Sequence, residues 1–354
     1  MTAPIRIAER LVGPGESPYV IAEVSANHQQ SIDRAIAIVR AAAEAGADAV
    51  KLQTYTPDTM TIDSGNGHFR IEGTIWEGRR LYELYQEAYT PWEWHAPLAE
   101  EASRLGLHFF STPFDATAVE FLQRMNVPAF KIASFELVDT PLLQAVARTG
   151  KPVILSTGMS TLGEIDEAVQ TLRRAGATQL ALLKCTSAYP ATPDEMNLAT
   201  IPHMQDAFAV PVGLSDHTLE LVVPVTAVTL GACIVEKHIT LSRADGGPDG
   251  SFSLEPREFA EMVHAVRAAR QAVGTVHYGV SPREMESRAF RRSLFVVQDV
   301  KAGEVFSAQN VRSIRPASGL HPRHLSDILG RPANSDIPRG TPLEWSMVGT
   351  GVAR

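Results

Sequence analysis

The sequence predicts an α/β fold, a (β/α)8 TIM barrel followed by a small β-rich module, on three observations. Short apolar or β-branched runs alternate with segments of helical period from residue 18 to about 275. Eight such runs occur, the number that closes a barrel. After residue 293 the texture changes to short β runs without long helical periods between them.

The expected strands are YVIAEV (19–24), AVKLQ (49–53), HFFS (108–111), AFKIA (129–133), VILS (153–156), LALLKC (180–185), VPVGLS (210–215) and CIVEKH (233–238). Between them lie stretches such as SIDRAIAIVRAAAEAG (31–46) and TLGEIDEAVQTLRRAG (161–176), with apolar residues three and four apart and a terminal glycine. A doubly wound open sheet would place a glycine-rich dinucleotide turn after the first strand, where the sequence reads EVSANHQQ. Segment 54–92, rich in Gly, Thr and aromatics, interrupts the alternation, and an insertion after a strand's C-terminal end is expected over the barrel mouth. The expected domains are a barrel at 1–280, a polar, charged linker at 281–292 and a β-rich module at 293–354.

A chain of 354 residues that is 44% hydrophobic has the means to bury a substantial core. Its net charge of −8 argues against nucleic acid as a partner, so any phosphate chemistry needs a local cationic pocket. No apolar run is long enough to span a membrane, and MTAPIRIAERLVG lacks the pattern of a secretory signal. A cytoplasmic location is expected. Cys185 and Cys233 sit inside apolar runs and read as reduced core residues.

In such a barrel the reactive side chains gather at the C-terminal ends of strands. There the sequence offers Glu23, Lys51, Thr112, Lys131, Ser134, Glu136, Ser156, Lys184, Ser187, Tyr189, Ser215, His217, Lys237 and His238. A lysine inside an apolar strand needs a partner, because burying a lone ammonium is costly. Each of Lys51, Lys131, Lys184 and Lys237 could form a structural ion pair, but four converging on one mouth point to an anionic ligand. Nearby hydroxyls suit a small molecule bearing carboxylate and phosphate. His217 and His238 close adjacent strands, with Glu23 potentially across the barrel, a set that can bind a divalent cation and leave places open. The loop from Asp245 to Asp249 is either simple turn chemistry or a grip on sugar hydroxyls.

Read together, IAEVSANH, DAVKLQTYTPDT, STPFD, KIASFE, STGM, KCTSAYP, GLSDHT and EKHITL with GGPDGSFSL resemble the sialic acid synthase family, in which a barrel joins an antifreeze-like (SAF) domain. The resemblance covers about residues 15 to 350. It implies a condensation of phosphoenolpyruvate with an open-chain acetamido sugar, assisted by Mn2+ or Mg2+ held by His217 and His238. It puts Lys51, Lys131, Thr112, Ser134, Ser156, Ser187 and Ser215 on phosphoenolpyruvate, with Tyr189 close by. Glu23 matches the carboxylate near the reacting carbons, and Glu136 and Asp249 match positions on the sugar. Arg315, in SIRPASGL, matches an arginine that reaches the sugar from the other subunit of a domain-swapped homodimer.

Within the family, SANHQQ, TYTPDTMTI and the insertion GTIWEGRRLYELYQEAYTPWEWH resemble the branch that makes pseudaminic acid. The N-acetylneuraminate branch has a pattern of the type AGxNHNG, whereas here Gln29 and Gln30 follow His28. N-acetylneuraminate or N,N'-diacetyllegionaminate synthesis is the neighbouring alternative. A metal-dependent pyruvate aldolase, a Schiff-base aldolase using Lys184, and a sugar- or ice-binding protein are readings from other classes.

Overall fold

A computed structural model describes residues 2–351 and divides the chain into two compact units, Met1–Gly274 and Thr275–Arg354. The first unit opens on an antiparallel hairpin, β1 (Ile5–Ile7) and β2 (Arg10–Val12), which buries Ile5, Ile7 and Val12 in the barrel's core. This hairpin lies outside the expected runs, since IRI and RLV each set an arginine among their apolar residues. Eight parallel strands then close a barrel in sequence order: β3 (Tyr19–Glu23), β4 (Ala49–Thr54), β5 (His108–Pro113), β6 (Phe130–Ile132), β7 (Val153–Ser156), β8 (Leu180–Cys185), β9 (Val212–Asp216) and β10 (Ile234–His238). Each falls on one of the eight expected runs, so the TIM barrel is present as the alternation predicts.

The closing ladder pairs β10 with β3, setting His238 opposite Glu23, while Glu23 on its other side meets Lys51. That register gathers strand-end side chains onto one rim. Strands buried on both faces explain the near-continuous apolar runs, and Phe110 and Phe130 are fully buried among them. The helices follow their local signals. Thr161 and Glu164 form a reciprocal capping box at the start of Leu162–Arg174, and Gly176, at φ +107°, lets the chain leave it.

The insertion carries two helices, Pro57–Met60 and Leu81–Ala88, and is tied to the loop after β10 by Trp76, whose Nε1 donates to the Pro248 carbonyl at 3.0 Å. The second unit holds the antiparallel pair β11 (Ser293–Val296) and β12 (Val311–Ile314). These pack Leu294, Val296 and Val311 with Phe306, Ile328 and Leu343 into a separate small core. No described helix is long and apolar enough to cross a membrane.

Candidate active site

Side chains alternate faces along a strand, and this rule sorts the predicted residues. Glu23, Lys51, Thr112, Lys131, Ser156, Ser215, Glu236 and His238 line one interior pocket with Ser134, Cys185, Tyr189 and His217, all predicted sites except Glu236 and Cys185. Two of the four lysines do not converge there. Lys237 lies between the inward Glu236 and His238, so it faces the other way and pairs with Asp216 at 2.6 Å. Lys184 precedes the inward Cys185, and its Nζ donates to the Cys185 carbonyl at 2.9 Å. The expectation of four converging cations is thus corrected to two, and Lys184 is turned away from the interior where a Schiff base would form.

The two interior lysines are matched by two carboxylates. Glu23 pairs with Lys51, and Glu236 lies 3.7 Å from both Lys51 and Lys131. Burial opposes the charge on Lys51, yet Glu23 and Glu236 outweigh it and raise its pKa. For Lys131 burial wins and lowers the pKa against the pull of Glu236. Burial likewise raises the Glu23 carboxyl, opposed by Lys51, while Gln53 donates to its Oε1 at 3.1 Å. Glu236 was readable from period 2, since it shares a face with His238.

Beside this quartet lies a cradle of donors. Lys131 reaches Ser156 Oγ at 2.7 Å, Lys51 reaches Thr112 Oγ1 at 3.1 Å, and the Gly158 N–H donates to Ser134 Oγ at 3.0 Å. A Cβ at position 158 would lie 2.2 Å from Ser187 Oγ and 2.8 Å from Ser134 Oγ, so only glycine lets the backbone come this close. Ammonium groups and hydroxyls around one space suit a small oxyanion, with the Gly158 N–H fixing Ser134 beside it.

His217 and His238 stand with ring centroids 5.4 Å apart. The Nδ1 of His217 donates to the Thr186 carbonyl at 2.9 Å, so in the neutral ring it is Nε2 that carries the lone pair. Burial holds His238 well below the usual imidazole pKa, and its Nδ1 is buried without a hydrogen-bond partner. Burial opposes the charge on His217, yet Cys185 outweighs it and raises its pKa. Two adjacent imidazoles, one with an unpartnered nitrogen, fit a divalent cation, which would take the place of a proton on His217. Among the described residues no group of three or more His, Cys, Asp or Glu has metal-binding spacing, so an ion here would take few ligands from this chain, with room left for water or substrate. Cys185 was read as core. It is buried, but at the strand end beside His217, and despite burial the imidazole draws its thiol down to about 6. Cys233, buried without such a neighbour, is pushed up to about 12.

Above the cradle opens a cavity of about 370 Å³ whose walls include Met60, Ile71, Trp76, Leu84 and Tyr85 from the insertion. Its polar points are few, among them Gln53, Glu136, Tyr189 and Asp249. Burial raises the Glu136 carboxyl to about 7, and its Oε2 has no partner. Asp249 accepts from the Ala26 N–H at 3.3 Å, and Tyr189 packs between Trp76, Phe252 and His217. Arg315 lies exposed just after β12 in the second unit.

The turn after β3 braces this mouth. Asn27 Nδ2 donates to the Ile239 carbonyl at 2.9 Å, and His28 Nδ1 accepts the Gln30 N–H at 3.1 Å while its Nε2 meets Thr90 Oγ1 at 3.2 Å. His95 meets Thr54 Oγ1 at 2.7 Å. Burial drives both His28 and His95 down to about 4. Their unfolded value is near 6.5, so the neutral folded form contributes stability above that pH and loses it as pH falls toward about 4. The loss between about pH 7 and about pH 5 is about 2 kcal/mol per imidazole. Glu136 acts with the opposite sign, so the clean measurement is denaturant unfolding of wild type against His95→Gln. The variant should show a pH dependence shallower by that amount, and equal slopes would refute the assignment.

The chain belongs to the NeuB family, whose model matches residues 38–278, and a SAF domain model matches residues 291–349. Among its relatives is the pseudaminic acid synthase of Helicobacter pylori, 44% identical over 93% of this chain and 97% of the relative. The N,N'-diacetyllegionaminic acid synthase of Legionella pneumophila is 35% identical over 95% of this chain and 96% of its own length. A solved N-acetylneuraminic acid synthetase from Leptospira borgpetersenii superposes with a TM-score of 0.73 at 30% identity, covering 81% of this chain and 95% of that one.

Proposed function

We propose that the chain is a pseudaminic acid synthase, condensing phosphoenolpyruvate with 2,4-diacetamido-2,4,6-trideoxy-L-altrose and water to give pseudaminic acid and phosphate. The observation that carries this reading is the junction of an oxyanion cradle with an apolar cavity of about 370 Å³ that has few polar points. A sugar with a methyl at C6 and two acetyl methyls presents apolar surface that such walls accept. The 44% identity to pseudaminic acid synthases, against 35% to legionaminic ones, supports the same choice of sugar.

Lys131, Ser156 and Ser134 hold the phosphate and carboxylate of phosphoenolpyruvate, aided by Lys51, Thr112, Ser187 and Ser215. Glu136, Asp249 and Tyr189 orient the sugar. His217 and His238 would hold a divalent cation, which when bound would supply Lewis acidity to the aldehyde. The C3 carbon of phosphoenolpyruvate attacks the aldehyde carbon, and the C2 cation that results takes up water. Glu23, poised by Lys51 and Gln53, orients that water and accepts its proton. The tetrahedral C2 then expels phosphate by C–O cleavage, leaving the nine-carbon keto acid. Arg315 is exposed in the second unit and is offered to the sugar site of a second copy in a swapped homodimer. A cytoplasmic location completes the reading.

The test is incubation with phosphoenolpyruvate, Mn2+ and one sugar at a time, namely the altrose, its legionaminic counterpart or N-acetylmannosamine, following phosphate and product mass. Selective use of the altrose is expected. Preference for another sugar overturns the substrate, and no phosphate with any of them overturns the reaction.

A further inference from the structure

The residues after β3 depart from glycine where the backbone would favour it. Gln29 and Gln30 both sit in the left-handed region, at φ +49° and +55°, a conformation that costs a residue bearing a Cβ. Two successive non-glycine residues there call for a compensating use of their side chains, and each has one. Gln29 Nε2 donates to the carbonyls of Asp245 and Gly246, at 3.1 and 3.0 Å. Gln30 Nε2 donates to those of Glu87 and Tyr89, at 3.0 and 2.6 Å. The first pair of bonds holds the loop that carries Pro248 and Asp249, and a Cβ on Gly247 would lie only 3.1 Å from Gln29 Nε2. The second holds the end of helix Leu81–Ala88, whose Leu84, Tyr85 and Ala88 line the cavity.

We propose that Gln29 and Gln30 are positioning residues for the sugar, each fixing one wall of the cavity to the end of β3. The inference rests on the reaction proposed above. Neither side chain is among the cavity's lining, so both act through the segments they hold. Strain at the turn is balanced by order at the walls, and the phosphoenolpyruvate cradle, built on β4 to β9, takes no hydrogen bond from either side chain.

The experiment compares Gln30→Gly, which relieves the left-handed strain and removes the amide, with Gln30→Ala, which keeps the strain and removes the amide. Loss of two hydrogen bonds should raise the KM for whichever acetamido sugar the wild type uses by about tenfold in both variants. The KM for phosphoenolpyruvate and the turnover number at saturating sugar should move by less than about twofold. Gln30→Gly should melt no lower than Gln30→Ala, so the sugar defect does not follow stability. Hydrogen exchange without substrate should quicken in residues 84–90 for Gln30→Gly and in 243–250 for Gln29→Gly. Unchanged exchange, or faster exchange with an unchanged sugar KM, overturns the proposal. Failure of the reaction itself would be seen earlier, as absence of turnover in the wild type.

Discussion

Replacing Glu23 with Gln should lower turnover by about three orders of magnitude while leaving phosphoenolpyruvate binding largely intact. The substitution keeps the shape and the hydrogen bond with Gln53 but removes a base from the point where water must add. It also unmasks Lys51, whose remaining carboxylate neighbour is Glu236 at 3.7 Å. A more positive interior should hold a multiply charged anion at least as well, so a fall in kcat without a rise in the phosphoenolpyruvate Kd is the signature. Near-normal turnover would remove Glu23 from the chemistry. A parallel loss of anion affinity would instead make it a structural partner of Lys51.

The second large effect concerns the divalent cation. Treatment with a chelator should cut turnover at least about a thousandfold, and Mn2+ or Mg2+ should restore it. His238→Ala should not be restored at the same metal concentration, because it removes the imidazole whose Nδ1 has no other partner. Binding of Mn2+, followed by its paramagnetic effect on water relaxation, separates loss of the ion from loss of fold. Unimpaired activity in the chelated wild type would refute the metal-assisted reading.

The barrel was legible because each strand announces itself twice, by an apolar run and by the polar residue that ends it. The site was legible wherever one further rule, the alternation of faces, agrees with position at a strand end. It failed where position was weighed alone. Lys237 stands at the end of β10 like His238, yet it is one residue away and therefore on the opposite face. The same rule points to Glu236, which stood unweighed beside Lys237 and His238 at the strand end. Cys185 escaped notice for a different reason, since a thiol in an apolar run looks like core until the tertiary structure sets His217 beside it. Sequence placed the insertion over the mouth, but not that Trp76 pins it to Pro248. Nor could it show Gln29 and Gln30 in a conformation that residue type argues against.

The closure of the barrel has a consequence for how the protein comes into being. The strand that completes the ladder, β10, is the last of the eight, and it pairs with the first. That same strand contributes Glu236 and His238, while its partner contributes Glu23. The acidic residues and the second imidazole therefore meet only across the contact of longest sequence separation in the barrel, a contact that entropy makes among the slowest to form. During synthesis the cradle strands, β4 to β9, emerge before β10 can set Glu236 and His238 against Glu23. A growing or half-folded chain thus presents a scaffold without a reactive centre, and chemical competence arrives with native topology as one event.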